Sequence, residues 1–112
     1  MEVIFEVNKF DENTIAQIKT SGFEIEDIYP SNGLNGTEIV AIVVALVPAV
    51  KDLILALWNK RSVSIKISNE FGSTELTAKN LEELEKKVDQ YLAIIEKIRK
   101  SKVEDKDGKG NK

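Results

Sequence analysis

The chain has 112 residues, 42% hydrophobic and 31% charged, with a formal net charge of −3. That length suits one domain, the composition is ordinary for a globular chain, and the acidic balance supplies no basic face for nucleic acid. Cysteine and histidine are both absent, which excludes disulfides and thiolate metal sites and removes the usual general base and the commonest zinc ligand.

The N-terminus, MEVIFEVNKFDEN, has no basic n-region and no cleavage-site pattern, so it does not predict a signal peptide. Val3, Phe5 and Val7 alternate with Glu2, Ile4 and Glu6, which predicts a strand. Ile4 on the second face indicates partial cover there. FDENTIAQIKTSG then predicts a short helix, with Asp11 as N-cap, Phe10 and Ile15 spaced as a hydrophobic staple, and Gly22 as its stop. FEIEDIY follows as a strand with Phe23 and Ile25 on one face. The connection between these strands has the length of a crossover helix, which predicts a parallel pair. Residues 30–36, PSNGLNG, have loop composition. Asn35-Gly36-Thr37 matches a glycosylation acceptor, expected to be unused without an export signal.

EIVAIVVALVPAVKDLILALWNKR, residues 38–61, is the most apolar stretch, and Thr37 could cap it as a helix. At 100° per residue, Glu38, Ala41, Ala45, Ala49, Asp52, Ala56 and Asn59 form one narrow small-and-polar stripe. The large aliphatic residues and Trp58 fill the rest, with Pro48 predicting a kink. Alanines at four-residue spacing allow close helix approach, so Ala41, Ala45, Ala49, Asp52 and Ala56 are the candidate partner-docking residues. The plainer alternative is alanine on a solvated helix face. A membrane span is a competing reading. Roughly a dozen Leu, Ile and Val residues contribute about −4 to −7 kcal/mol, and Lys51 with Asp52 costs about +5. Spanning would divide the strands into two small, marginal sheets, which favours a buried core helix over a single-span anchor or an oligomeric helix.

RSVSIKIS places Val63, Ile65 and Ile67 on one face, NEFG turns and STELTAK returns, predicting a hairpin. Asn80 and Glu83 form a capping-box variant before the last helix. Leu81, Leu84, Val88, Leu92, Ile95 and Ile98 make its apolar stripe. The expected fold is α+β, β-α-β-α-β-β-α, with one mixed four-stranded sheet and helices packed on one face. Residues 1–100 form a single domain and 101–112 a disordered charged tail.

No arrangement of residue types selects a catalytic, cofactor or metal site. Without Cys or His only Ser/Lys or carboxylate arrangements could catalyse, and Asp27, Glu82 and Glu85 read as solvated surface. GLNG lacks the glycine pattern and lysine of a phosphate loop, and DKDGKGNK lacks the spacing and closing Glu of a calcium loop. Trp58, Tyr29 and Phe71 read as core or hairpin residues.

The run of GLNG, an aliphatic helix ending in LALWNKR, the hairpin SVSIKISNEFGSTELTAKN and the closing LEELEKKVDQYL resembles the effector-associated constant component family of bacterial conflict systems. The resemblance covers about residues 33–92. It implies a non-enzymatic accessory or adaptor protein, with no cofactor, acting by protein–protein interaction with a neighbouring-gene NTPase, protease-like protein or effector. A cytoplasmic location follows from that expectation. The alternatives are a membrane protein anchored by residues 38–61 and an immunity or antitoxin-like inhibitor using its acidic N-terminal half.

Overall fold

The alternating N-terminal segment is a strand, β1 (Glu2–Asn8), followed by α1 (Glu12–Lys19), β2 (Ile25–Asn32), β3 (Glu38–Ala45), α2 (Val50–Leu57), β4 (Val63–Asn69), β5 (Gly72–Glu75) and α3 (Leu81–Gly110). This computed structural model describes residues 1–32 and 38–110, with side chains through Lys100. The α+β class is as expected. The sheet has five strands rather than four, and it is antiparallel throughout rather than mixed, in the order β2-β3-β1-β4-β5.

The largest correction concerns residues 38–61. They are a strand, a turn at Pro48 and a short helix, not one kinked helix. The run Ile39-Val40-Ala41-Ile42-Val43-Val44 is mostly β-branched, and such side chains suit a pleated surface better than a helix. Proline in a helix interior would cost about 3 kcal/mol. Here it stands in the turn before α2, where Val50 donates to the Val47 carbonyl and Lys51 to the Pro48 carbonyl. No kink is needed.

The crossover length was a correct guide to direction and a poor one to neighbours. β1 and β2 run the same way, but β3 lies between them, antiparallel to both. β3 and β4 likewise flank β1. The first six elements thus have the β-α-β-β-α-β connectivity of the ferredoxin-like split unit, extended by β5 and α3. Pro30 is tolerated inside β2 because β2 is an edge strand.

All three helices pack on one face, as expected. Val3, Phe5 and Val7 of β1, Ile42 and Val44 of β3, and Ile65 and Ile67 of β4 share one buried core with Ile18 of α1, Val50, Leu53, Ile54 and Leu57 of α2, and Leu84 and Val88 of α3. Lys51 reaches from α2 to Asp89 of α3 at 2.8 Å. Both expected caps form. Asp11 accepts from the Thr14 N–H at 3.2 Å, and Asn80 accepts from the Glu83 N–H at 2.9 Å. Glu83 returns its bond to Lys79 rather than to Asn80. Phe10, the expected staple, stands 79% exposed. Gly22 takes a φ of +90° just beyond α1, a conformation that favours glycine.

The backbone of α3 is helical through Gly110, past the boundary expected at Ser101. Of the loop expected at 30–36, residues 30–32 instead extend the edge strand β2, while 33–36 and the Thr37 cap lie outside the described residues, as do Asn111 and Lys112.

Candidate functional site

Strand geometry sends alternate side chains to opposite faces, and among the described residues no helix packs on the second face of this sheet. Register brings its residues together in rows. Tyr29 of β2 stands beside Ala41 of β3, which stands beside Glu6 of β1 and then Ser64 of β4. The next row runs Asp27, Val43, Ile4, Lys66 and Glu75. Ile39 pairs with Asn8 above them, and Ala45 with Glu2 below. Ala41 and Val43 are nearly covered, at 1% and 7% exposure, whereas Tyr29 is 41% exposed. The face therefore has an apolar strip along β3 and Ile4, sealed by longer neighbours.

Polar groups border that strip. Lys66 meets Glu6 at 2.8 Å, and the hydrogen bond to Glu6 raises the lysine pKa against the opposing cost of burial. Tyr29 lies within electrostatic reach of the same ammonium. Ser64 donates to Glu75 at 3.3 Å. A shallow cavity of about 530 Å³ opens over this corner, with Asn8, Asn32, Arg61 and Ser62 on its walls and Ile39 and Val63 as apolar contacts. At the other end, Glu26 follows Ile25 at a register shift in β2. A hydrogen bond with Glu2 is the main cause holding the Glu26 carboxyl above its usual range, helped by burial and by Glu24. Carboxylates Glu2, Glu6, Asp27 and Glu75 outnumber the cations Lys66 and Arg61 around the face.

Beside the cavity, the structure gathers hydroxyls, a lysine and a carboxylate that sequence spacing could not connect. Ser62 donates to Asp11 Oδ2 at 2.5 Å, Thr14 donates to the same oxygen at 2.6 Å, and Lys60 Nζ donates to Thr14 Oγ1 at 3.1 Å. The bond from Ser62, followed by those from Thr14, lowers Asp11 to a pKa of about 2. The cluster fixes the start of α1 to the loop before β4.

The five candidate docking residues do not form one surface. Ala41 and Ala45 lie on the open face of β3, whereas Asp52 and Ala56 are exposed on α2 across the sheet, and Ala49 is exposed at the start of α2. Their common stripe required a helical period through residues 41–56, which the chain abandons at Pro48. Of the expected core and hairpin aromatics, Trp58 packs against the core, Tyr29 occupies the open face, and Phe71 is 90% exposed in the β4–β5 turn.

Among the described residues, no helix is long and apolar enough to cross a membrane, and residues 38–61 divide into β3 and the eight-residue α2 rather than forming the one long helix a single-span anchor would need. No group of three potential metal ligands occurs among them either. No protein-family model, curated protein or solved structure matches the chain.

Proposed function

We propose that this domain is a non-catalytic adaptor whose open sheet face binds a protein partner. The observation that carries the reading is the helix-free face itself. It leaves Tyr29 exposed and Ile4 and Ile39 partly exposed, around the covered Ala41 and Val43, beside a border of net negative charge. Uncovered apolar surface with a polar rim is characteristic of protein interaction sites. Charge complementarity selects a partner surface with apolar side chains flanked by Lys or Arg, and the same negative border disfavours nucleic acid. The resemblance to the effector-associated constant component family fits this role. Of its features, the hairpin and closing helix are present, while the long aliphatic helix is a strand and a short helix. Under this reading the domain works in the cytoplasm beside an NTPase, protease-like protein or effector encoded nearby.

The test is co-expression with each neighbouring-gene product, followed by a binding titration. Tyr29→Asp should weaken binding by at least about tenfold, a loss of about 1.4 kcal/mol, with little change in the melting temperature. If Tyr29→Asp and Ile4→Lys bind as the parent does while Ala56→Glu abolishes binding, the partner docks on α2 and the proposal fails. A partner that is itself a toxin, silenced on binding, would make the adaptor an immunity-type inhibitor using the same face.

A further inference from the structure

The β5 backbone edge and the flank of α3 beside it lie apart from the apolar part of the open face, which β5 borders through Glu75. Leu76 donates its N–H to the Ile65 carbonyl at 2.8 Å, and the ladder continues through Thr74 opposite Ile67 and Gly72 opposite Asn69. Residues along an antiparallel strand alternate between bonding across the ladder and pointing away from it. Thr74 and Leu76 therefore turn their backbone groups toward β4, and Ser73 and Glu75 turn theirs outward. These outward groups have no backbone partner among the described residues. Thr77 is next in the alternation, and its carbonyl is already taken by Lys87 Nζ at 2.5 Å. The open edge ends there.

We propose that β5 pairs with β5 of a second copy of this chain, antiparallel about a two-fold axis through Thr74, joining two sheets into one. The edge is its own complement. With Thr74 opposite Thr74, Ser73 of each copy faces Glu75 of the other, and the outward N–H and C=O groups exchange bonds on both sides of the axis. On the open face this register sets the Glu75 carboxylate against the Ser73 hydroxyl, not against a second carboxylate, where like charges would repel.

The helices add an apolar and an electrostatic argument. A cavity of about 420 Å³ lies between Thr74–Thr77 and the α3 residues Lys87, Gln90, Tyr91 and Ile94. Ile94 and Ile98, four residues apart on that flank, are 44% and 47% exposed. Thr74 lies about 10 Å down the strand from Thr77, and seven helical residues cover about the same distance. Counting from Lys87 sets Ile94 level with the axis, where it meets its symmetry mate. The register also brings Phe71, 90% exposed, level with Thr77 of the second copy. Residues 96–100 carry three bases, Lys97, Arg99 and Lys100, and one glutamate. With Ile94 on the axis, residues 88–92 of one copy stand level with 96–100 of the other, which sets Asp89 opposite Arg99 on both sides, within the roughly 10 Å range over which charges act at 0.1 M salt.

The first measurement is the mass in solution by sedimentation equilibrium. The parent chain should have twice its 12.5 kDa. Ser73→Pro, which removes an outward N–H and no bond to β4, and Ile94→Glu should each return the mass to one chain with unchanged circular dichroism. Thr74→Cys is the positional test, since the chain has no native cysteine. A non-hydrogen-bonded antiparallel pair places Cα atoms about 4.5 Å apart, within the span of a disulfide. Mild oxidation should covalently join Thr74→Cys and leave Ser73→Cys mostly unjoined. A parent chain that stays a monomer at all soluble concentrations overturns the proposal. So does a dimer that survives both the Ser73→Pro and Ile94→Glu changes.

Discussion

Replacing Pro48 by alanine separates the observed strand-turn-helix from a continuous helix by the sign of its effect. In a continuous helix over residues 38–61, Pro48→Ala would restore a backbone hydrogen bond and remove a ring clash, stabilising the protein by about 3 kcal/mol. In the structure, Pro48 is an exposed turn residue preceding α2. The neighbouring turn bonds use the N–H groups of Val50 and Lys51 and the carbonyls of Val47 and Pro48. The missing proline N–H costs nothing there, and the ring restricts the unfolded chain. Losing that restriction should destabilise the domain by about 0.4–1 kcal/mol. The unfolding entropy of a 112-residue chain is about 0.24 kcal/mol per kelvin. The melting temperature should therefore fall by about 2–4 °C, followed by calorimetry or by circular dichroism. A rise of about 13 °C, the value for releasing a mid-helix proline on the same scale, would refute the assignment.

The core and the titrating groups supply further tests. Phe5→Ala, at a position with 0% exposure, should cost about 3–5 kcal/mol in urea unfolding. Phe10→Ala, at 79% exposure, should stay within about 0.5 kcal/mol of the parent. Asp11 falls from 3.8 to about 2 on folding, so its contribution is complete above pH 3.8 and is lost as pH drops toward 2. Asp11→Asn should remove that part of the acid sensitivity, seen in urea midpoints at a series of acidic pH values. Glu26 has the opposite sign. Its carboxyl is raised from 4.5 by the hydrogen bond with Glu2, so its contribution is present at low pH and declines as pH rises above 4.5. Glu26→Gln should flatten that decline, and an unchanged pH profile would contradict the Glu2–Glu26 contact.

Elements with one buried face were legible in the sequence. Val3, Phe5 and Val7 alternate because only one side of β1 enters the core, and Leu84 and Val88 recur at helical spacing for the same reason. Asp11 and Asn80 were legible as caps because capping is a local hydrogen-bond pattern. β3 was not. Ile42 and Val44 enter the core while Ala41 and Val43 are sealed on the other face, so the segment has no alternation, and periodicity alone does not separate such a strand from a helix. The error carried into the docking residues, since Ala45 and Ala56 share a stripe only on an unbroken helix. The open face itself was invisible, because Tyr29, Ile4 and Val43 come from three strands and meet only once register is set.

The central claim is that a protein partner sits on the open face, and methyl resonances of the chain in complex with its co-purified neighbouring-gene product test it most directly. The methyls of Ile4, Ile39 and Val43 should shift on binding, while those of Val50, Leu53 and Ile54 behind the sheet should hold their positions. Shifts confined to the α2 side, with Ile4 and Val43 unmoved, would contradict it.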